Sequence, residues 1–324
     1  MNPLQDTFDI PIEDIKRAQY RVTPYIWCTP LQASEALSRI AGSAIFLKME
    51  CWQKTGSFKI RGALNKMLTM TEEQRKRGFI TASAGNHGLG VAYSARRLGI
   101  KGKIVVPRTA SPAKVTALQY YGVEIIQIGQ DYDAAEEHAW HLQQQEGLEF
   151  IHAFSDPAII AGQGTIGLEI MEASTQFKSV LVPVGGGGLI SGIAVAIKSL
   201  RPEIKIIGIQ SEASPTMYNS MQKGRVVETP IGETIADGLA GRLVTSATLQ
   251  LVQKYVDEVV LVSEEAIKQA MGVLLETEHI LVEGSAAVGM AAILEKRVSL
   301  KKPCALILTG RNVDMRLVTK LLGI

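Results

Sequence analysis

The chain has 324 residues, 46% of them hydrophobic, and a globular protein of this length buries about three quarters of its unfolded surface. Its 34 lysine and arginine residues nearly balance 32 aspartate and glutamate residues, which leaves a net charge of +2 without a basic cluster. Because nucleic-acid binding needs a concentrated basic surface, we exclude that class and expect no nucleic-acid partner.

Short runs of β-branched and apolar residues alternate along the chain with amphipathic segments of helical period. The runs predict strands at residues 45–49, 79–83, 103–107, 124–128, 180–183, 205–210, 258–262 and 304–308. The clearest helices are predicted at 86–98, 113–121 and 133–145. This alternation is typical of an α/β fold whose open, twisted, mainly parallel sheets are flanked by helices.

The segment 78–151 contains a complete local series in which three strands alternate with three helices. Such a series can close as a domain of its own. We therefore predict a small domain at 78–151 that closes over the functional site. The flanking residues, 1–77 and 152–324, are predicted to build a larger, discontinuous domain.

Several features favour a cytoplasmic protein. Three scattered cysteines, Cys28, Cys51 and Cys304, form no CxxC pair and indicate a reducing compartment. The first residues are acidic, unlike those of a signal peptide. The uncharged stretch 179–197 approaches the length of a membrane span, but Pro183 and four consecutive glycines interrupt it. We expect no membrane association.

The first candidate site is Thr55-Gly56-Ser57-Phe58-Lys59, a turn that leads into a predicted helix starting near Ser57. Ser57 is a plausible N-cap, and Lys59 would lie in the first turn, where the helix dipole disfavours a cation. In a dry site this lowers the pKa of a lysine, as a Schiff-base lysine requires. From spacing alone, an ordinary solvated lysine is the more common case.

A second candidate site lies where a predicted strand hands over to a helix, at Ser83-Ala84-Gly85-Asn86-His87. Its backbone N–H groups and the side chains of Asn86 and His87 are expected to face the crevice at the carboxyl end of the strand. This segment could therefore bind a carboxylate or a phosphate.

The third candidate consists of four consecutive glycines, Gly185, Gly186, Gly187 and Gly188, which follow a predicted strand. Without Cβ atoms, the backbone can wrap closely around an anion. A dinucleotide is the competing ligand, with Glu212 as its ribose-binding acid. Against it, neither glycine cluster has the GxGxxG spacing, and no GxxxxGK[ST] motif occurs.

Four strings, taken in order, carry a resemblance to a known family. They are QKTGSFKIRGA at 53–63, SAGNH at 83–87, AGQGTIGLEI at 161–170 and GGGGL at 185–189. Together they closely resemble the pyridoxal-phosphate-dependent threonine/serine dehydratases, and most closely the catabolic enzymes with a single catalytic domain. The resemblance implies the fold type II architecture, which is similar to that of the tryptophan synthase β-subunit, and pyridoxal 5'-phosphate as cofactor.

The resemblance also implies roles for individual residues. Lys59 would hold the cofactor as a Schiff base and, once a substrate has displaced it, would take the α-proton. Phe58 would pack beside the ring, Asn86 would bind the phenolic oxygen, and Thr309 would face the pyridine nitrogen. The cofactor phosphate would lie on Gly185, Gly186, Gly187, Gly188 and Leu189, and the substrate carboxylate on Ser83, Ala84, Gly85, Asn86 and His87.

The implied reaction is an α,β-elimination that converts L-threonine to 2-oxobutanoate and ammonia, and L-serine to pyruvate, so that the protein would be an ammonia-lyase. The hydroxyl of Thr309 is consistent with this reaction. An aspartate there would favour a protonated ring nitrogen and a long-lived carbanion, whereas a neutral hydroxyl favours prompt expulsion of a β-hydroxyl.

Some positions depart from related enzymes. Serine racemases of this family carry a serine where this chain has Ala84, so racemisation lacks its second proton carrier. They also bind a cation through a glutamate and an aspartate, whereas here Glu212 is accompanied by Tyr218. His138 and His141 have ligand-like spacing, but a solvated helix face explains them better, and we expect no metal.

Arg311 stands where the family usually has glycine. If its guanidinium points toward the ring, it could shift specificity to a substrate with a second anionic group, such as 3-hydroxyaspartate. In this arginine the chain also resembles dehydratases of hydroxyectoine breakdown, although the Lys59 and Asn86 motifs look more like those of threonine dehydratases. Alternatively, the side chain points out of the turn. A non-catalytic sensor of cofactor or amino acid is the remaining alternative function.

The length of the chain also bears on regulation. Biosynthetic threonine dehydratases continue after the Thr309 region into a domain that binds isoleucine, whereas this sequence stops at Ile324. We therefore expect no C-terminal regulatory domain. The family resemblance implies a homodimer or homotetramer, and a small amino acid as the substrate.

Overall fold

A computed structural model describes residues 7–174, 176–300 and 303–322 and has an α/β architecture. The strands are β1 (Leu31–Ser34), β2 (Ile45–Lys48), β3 (Phe79–Ala82), β4 (Gly102–Val106), β5 (Glu124–Gln127), β6 (Glu149–Phe150), β7 (Ser179–Pro183), β8 (Lys205–Ser211), β9 (Glu258–Val262) and β10 (Cys304–Ile307).

Helices connect most of these strands. They are α1 (Ile12–Val22), α2 (Glu35–Ala41), α3 (Lys59–Thr69), α4 (Glu72–Arg77), α5 (Asn86–Leu98), α6 (Pro112–Gln119), α7 (Tyr132–Glu146), α8 (Pro157–Ala173), α9 (Gly188–Leu200), α10 (Thr216–Lys223), α11 (Ser246–Tyr255), α12 (Glu264–Glu278), α13 (Gly284–Leu294) and α14 (Met315–Leu322). Two short 3-10 helices cover Glu50–Trp52 and Asp237–Leu239.

The strands form two sheets. The larger has the order β1-β2-β10-β7-β8-β9, and only the β1–β2 pair is antiparallel. The smaller has the order β5-β4-β3-β6 and is parallel throughout. The expectation of mainly parallel sheets flanked by helices is therefore confirmed.

The eight predicted strands are all present, with ends that move by one residue at most, and helix 86–98 has the predicted bounds. Two strands were missed. β1 lies at the edge of its sheet and contains no β-branched residue, while β6 is only two residues long. Neither has the run of apolar residues by which a strand is recognised in a sequence.

Sheet membership bears on the predicted domains. All four strands of the smaller sheet come from residues 79–150, and all six strands of the larger sheet lie outside that segment. The division at 78–151 stays a prediction. Within the described ranges, none of the helices combines the length and the apolar character that a bilayer crossing requires.

Apolar side chains cover both faces of the larger sheet. One cluster includes Leu47, Leu181 and Leu306 and packs against α12 and α13, and the other includes Val180, Val182 and Ala305 and packs against α9. The uncharged stretch 179–197 thus forms a buried strand and a buried helix. This burial explains its composition.

Three segments with predicted site residues leave the carboxyl ends of strands, where open α/β sheets bind their ligands. The loop after β3 leads into α5, the glycine loop after β7 leads into α9, and Thr309 follows β10. Helix α3, which begins at Lys59, packs against α5 and α8. The topology thus brings together motifs that lie far apart in the sequence.

Candidate active site

Lys59 is the first residue of α3, and Phe58 occupies the N-cap position without a capping side chain. The prediction that Ser57 caps this helix is wrong. Ser57 forms an antiparallel bridge with Gly310, and its buried hydroxyl has no hydrogen-bond partner among the described residues. The helix therefore starts two residues later, after the main chain has been fixed by the loop that follows β10.

The Lys59 amine lies in a site that disfavours its charge. Burial lowers its pKa to about 8, although the carboxyl of Glu283 acts in the opposite direction. The Nζ atom donates to the carbonyl oxygen of Ala153 at 2.9 Å and lies 5.5 Å from the centroid of the Phe58 ring. A pKa of about 8 leaves about one amine in ten unprotonated at pH 7, far more than in an ordinary lysine, and Schiff-base chemistry requires the unprotonated amine.

A buried ion cluster anchors the first turn of α3. Arg61, which is fully buried, donates two hydrogen bonds each to Glu50 and Glu169, at 2.7–2.9 Å. Lys48 also donates to Glu169. Because such planar pairs constrain both distance and direction, they fix the orientation of the helix that begins at Lys59.

The loop after β3 has the predicted position but a different internal arrangement. Asn86 begins α5, and the Ser83 hydroxyl accepts from the N–H of Gly85 at 3.2 Å. Gly88 permits this turn, because a Cβ there would lie 2.2 Å from the Ser83 carbonyl oxygen. The helix N-terminus, with its unpaired N–H groups, lies beside Ala84 and Gly85 and can receive an anion.

The expectation that the His87 side chain faces the crevice is wrong. Its ring is buried, with Nε2 3.0 Å from the Ile151 carbonyl oxygen and 3.1 Å from the Thr81 hydroxyl. Burial lowers its pKa to about 3, so the ring is neutral. The side chain ties α5 to the small sheet, and at most the backbone N–H is left for a substrate.

The glycine loop is built so that side chains would not fit. A Cβ on Gly186 would lie 2.5 Å from the Phe154 ring, and a Cβ on Gly188 would lie 2.5 Å from the Phe154 carbonyl oxygen. Gly187 has φ +94° and precedes α9, whose first turn includes the buried Leu189. Backbone N–H groups thus converge at a helix N-terminus, an arrangement that suits a phosphate.

Thr309 is 3% exposed, and its hydroxyl has no hydrogen-bond partner among the described residues. Its carbonyl oxygen accepts from the N–H of Phe58 at 3.1 Å, which joins it to the start of α3. Because buried hydroxyls are normally paired, an orphan at this position fits a ligand with a polar ring atom. The set of lysine, glycine cradle and orphan hydroxyl is compatible with pyridoxal phosphate.

Arg311 is exposed, and its N–H donates to the Gly56 carbonyl oxygen at 2.9 Å. Its positive charge lowers the pKa of the nearby Cys51 thiol, against a larger upward effect of burial. Its role in specificity stays a prediction.

Sequence reasoning missed four residues of this region. Ala153 and Phe154 lie between β6 and α8, Asn312 follows Arg311, and Glu283 precedes α13. A signal for Glu283 was present, because it is the only charged residue between 280 and 294. A single carboxylate in so apolar a stretch is seldom buried without a role.

Glu283 is buried, and its Oε1 accepts from Asn86 Nδ2 at 2.7 Å. Burial raises its pKa to about 7, reinforced by the negative charge of Asp237 and opposed by the hydrogen bond from Asn86. A carboxyl with a raised pKa beside a lysine with a lowered one is typical of a catalytic centre.

Other ligand-like residues lie apart from this region. Glu212 pairs with Arg297 at 3.0 Å, and both side chains are nearly half exposed. His141 is exposed and lies 4.0 Å from Glu137. Within the ranges that the structure describes, no cluster of three or more His, Cys, Asp or Glu side chains could hold a metal ion.

The fold and the site define a class, the fold type II enzymes that use pyridoxal phosphate. The match to known proteins agrees, since residues 22–310 match the family of pyridoxal-phosphate dependent enzymes. The chain belongs to that family, and pyridoxal phosphate is its cofactor.

Two curated relatives and one solved structure define the similarity further. The L-threonine ammonia-lyase of Thermotoga maritima is 47% identical over 97% of this chain and 78% of its own length. The catabolic L-threonine dehydratase of Staphylococcus aureus is 42% identical over 98% of this chain and 93% of its own. The structure of maize serine racemase aligns with a TM-score of 0.92 at 35% identity and covers 98% of both chains.

Proposed function

We propose that this protein is an ammonia-lyase that converts L-threonine to 2-oxobutanoate and ammonia and L-serine to pyruvate and ammonia. The observation that carries the proposal is Lys59, a partly buried amine with a lowered pKa at a helix N-terminus. Its Nζ donates to the carbonyl oxygen of Ala153, whose neighbour Phe154 packs against the glycine loop, and the N–H of Phe58 donates to the main chain of Thr309. Relatives named L-threonine ammonia-lyase and L-threonine dehydratase support the choice of substrate.

Several residues of this chain would bind the cofactor, and one of them would also act on the substrate. Bound pyridoxal phosphate stabilises negative charge at the α-carbon of an amino acid. Gly185–188 and Leu189 would hold its phosphate, Phe58 would pack against its ring, and Asn86 would donate to its phenolic oxygen. Lys59 would bind it covalently and then, once displaced, remove the α-proton, because its lowered pKa of about 8 makes the unprotonated amine far more accessible near neutral pH than in an ordinary lysine.

Thr309 favours elimination over other outcomes. Its hydroxyl would offer the pyridine nitrogen of the bound cofactor a hydrogen bond but no negative charge, and so would not drive that nitrogen to its protonated form. A neutral ring nitrogen would stabilise negative charge at the α-carbon less, which would favour loss of the β-hydroxyl as water. Later addition of water releases ammonia, so that threonine yields one 2-oxobutanoate and one ammonia.

The substrate carboxylate would lie on the backbone N–H groups of 83–87, at the start of α5. Ala84 offers no side-chain acid or base on the second face of the substrate. Although a serine racemase has a closely similar structure, this position favours elimination over racemisation. A substrate such as 3-hydroxyaspartate, or one derived from hydroxyectoine, would instead require a contact from Arg311.

We also propose a domain organisation, a compartment and an oligomeric state for this protein. We expect the segment 78–151 to act as a domain that closes over the site, since all strands of the smaller sheet lie within it. The three unpaired cysteines suit a reducing cytoplasm. The family resemblance favours a homodimer or homotetramer, which light scattering of the purified protein would decide.

A spectroscopic and kinetic comparison tests the proposed function. Purified protein should show a near-visible absorbance band that borohydride removes, and L-threonine and L-serine should then yield 2-oxo acids. Lys59→Ala should lose both the band and turnover, whereas Lys268→Ala, which removes an exposed lysine of α12, should keep both. Turnover by Lys59→Ala close to that of the parent would refute the site assignment.

The same substrate panel separates the alternatives. Formation of D-serine without 2-oxo acid would identify a racemase, and a band without turnover would identify a sensor. Preference for 3-hydroxyaspartate over threonine would identify the dicarboxylic substrate. In that last case, Arg311→Gly should lower the relative kcat/KM for 3-hydroxyaspartate, and unchanged relative values would exclude a role for Arg311.

A further inference from the structure

Three side chains from distant parts of the sequence form a hydrogen-bond relay. Asn312 Nδ2 donates to the Thr55 carbonyl oxygen at 2.8 Å and to Asn86 Oδ1 at 2.7 Å. Asn86 Nδ2 in turn donates to Glu283 Oε1 at 2.7 Å. The relay Asn312–Asn86–Glu283 therefore connects the loop after β10, the start of α5 and the start of α13.

The fold makes room for both ends of this relay with glycines. A Cβ on Gly56 would lie 2.6 Å from Asn312 Oδ1, and Gly56 has φ +74°. A Cβ on Gly310 would lie 2.5 Å from Glu283 Oε1. The main chain holds the same segments together, since Glu283 N–H donates to the Gly310 carbonyl oxygen at 3.1 Å.

The chemistry of the two ends determines which way each amide points. A backbone carbonyl such as that of Thr55 only accepts, so the NH₂ group of Asn312 must face it, and its second hydrogen is directed at Asn86 Oδ1. An ionised carboxylate also only accepts, so the NH₂ group of Asn86 must face Glu283. A flipped Asn86 would set its Oδ1 against the carboxylate oxygen of Glu283 and its NH₂ group against the NH₂ group of Asn312.

One hydrogen of Asn86 Nδ2 is left over, because the described residues offer it no second acceptor. We propose that Asn312 and Glu283 are positioning residues that lock Asn86 as a hydrogen-bond donor toward the phenolic oxygen of the cofactor. An amide held in this way favours an ionised phenolic oxygen, which accepts, over a neutral hydroxyl, which must also donate.

The inference rests on the proposed assignment of Asn86 to the cofactor. Two residues outside the recognised motifs then determine how Asn86 acts. A buried carboxylate lies close to Lys59 because a neutral side chain in place of Glu283 would leave Asn86 free to flip.

The test uses substitutions that preserve shape and reverse polarity. In Asn312→Asp the new carboxylate only accepts, so it can no longer donate to Asn86 or to the Thr55 carbonyl. In Glu283→Gln the new amide can donate to a reversed Asn86. The double variant therefore satisfies the contacts between the three side chains with Asn86 flipped, at the same net charge as the parent.

Two quantities are measured on each holoenzyme in alkaline buffer, above the pKa of about 7 of Glu283. One is the rate at which the near-visible band decays when the cofactor is diluted away, and the other is the thermal unfolding midpoint. Asn219→Asp is the matched control, because Asn219 donates one hydrogen bond to Thr229, at 3.3 Å, outside the relay. Its release rate should equal that of the parent.

Asn312→Asp should release the cofactor about tenfold faster and unfold at a lower temperature, since one charge-assisted hydrogen bond corresponds to about that factor. The double variant should regain much of the lost thermal stability but keep the fast release, because the flipped Asn86 presents its oxygen to the cofactor. A purely structural relay would let both quantities recover together.

Three results would overturn the inference. They are an unchanged release rate in Asn312→Asp, recovery of both quantities in the double variant, and a double variant that is no more stable than Asn312→Asp. Absence of the near-visible band in the parent would be a different failure, because it would contradict the assignment of the cofactor site itself.

Discussion

Two buried histidines should make this protein sensitive to acid, and His87 allows the effect to be isolated. Burial lowers the pKa of His87 to about 3 and that of His152 to about 4, from an ordinary value of 6.5. Below pH 6.5 the unfolded chain takes up a proton at each ring while the folded protein does not. Stability is therefore lost as the pH falls, until the folded pKa is reached.

The loss amounts to about 1.4 kcal/mol per pH unit for each ring, or about 2 kcal/mol for His87 between pH 6.5 and pH 5. Glu283 acts in the opposite direction, because its raised pKa of about 7 makes the folded state bind a proton that the unfolded state releases. Glu283 therefore offsets about one of the two histidine contributions, and the pH dependence of the parent alone does not separate the three groups. The contribution of His87 is obtained as the difference between the parent and a variant that lacks this ring.

His87→Gln supplies that difference, since glutamine keeps a neutral N–H donor for the Ile151 carbonyl but does not titrate. The free energy of unfolding is measured with urea for parent and variant at saturating cofactor. Between pH 6.5 and pH 5, the difference between these two free energies should shift by about 2 kcal/mol in favour of the variant. A gap that does not depend on pH would refute the assignment of a buried, neutral His87.

Three further outcomes are expected. Gly186→Ala, whose Cβ would lie 2.5 Å from an aromatic ring, should weaken cofactor retention in dialysis about tenfold or more. As a control, Gly272→Ala lies in open space within α12 and should raise the free energy of unfolding by up to about 1 kcal/mol. Thr309→Val should leave the unfolding midpoint of the cofactor-free protein unchanged or higher, because it removes a buried hydroxyl that has no partner among the described residues. In the holoenzyme it should lower kcat, and an unchanged kcat would exclude a role at the ring nitrogen. Glu169→Gln should cost about 3–5 kcal/mol in urea unfolding, because Arg61 then keeps a buried charge that is only partly compensated.

Much of the fold follows from local sequence. β9 has the predicted bounds because it is a short apolar run that stops at Ser263, the N-cap of α12, and α5 has them because it stops at Gly99 in the left-handed conformation. β1 escaped prediction because an edge strand with half-exposed residues needs no apolar run. Its identity as a strand depends on pairing with β2, a neighbour that only the folded sheet provides.

Part of the candidate site also follows from local sequence, and part depends on packing. Lys59, Asn86 and Gly185–188 lie in motifs whose glycines, helix starts and strand ends are visible in a single sequence. His87 shows the limit of such reasoning, because its position beside Asn86 is local but the direction of its ring is set by packing on Ile151 and Thr81.

The sequence by itself determined the α/β architecture, the family and the lysine, because strand periods and strand-to-helix motifs are properties of contiguous residues. The tertiary structure decided which groups surround that lysine. Ala153 accepts a hydrogen bond from it and the charge of Glu283 acts on it, both from segments more than 90 residues away. It is burial that moves the pKa of Lys59 to about 8 and that of Glu283 to about 7. Desolvation and polar contacts across the chain arise only once distant segments meet, so no local pattern contains them.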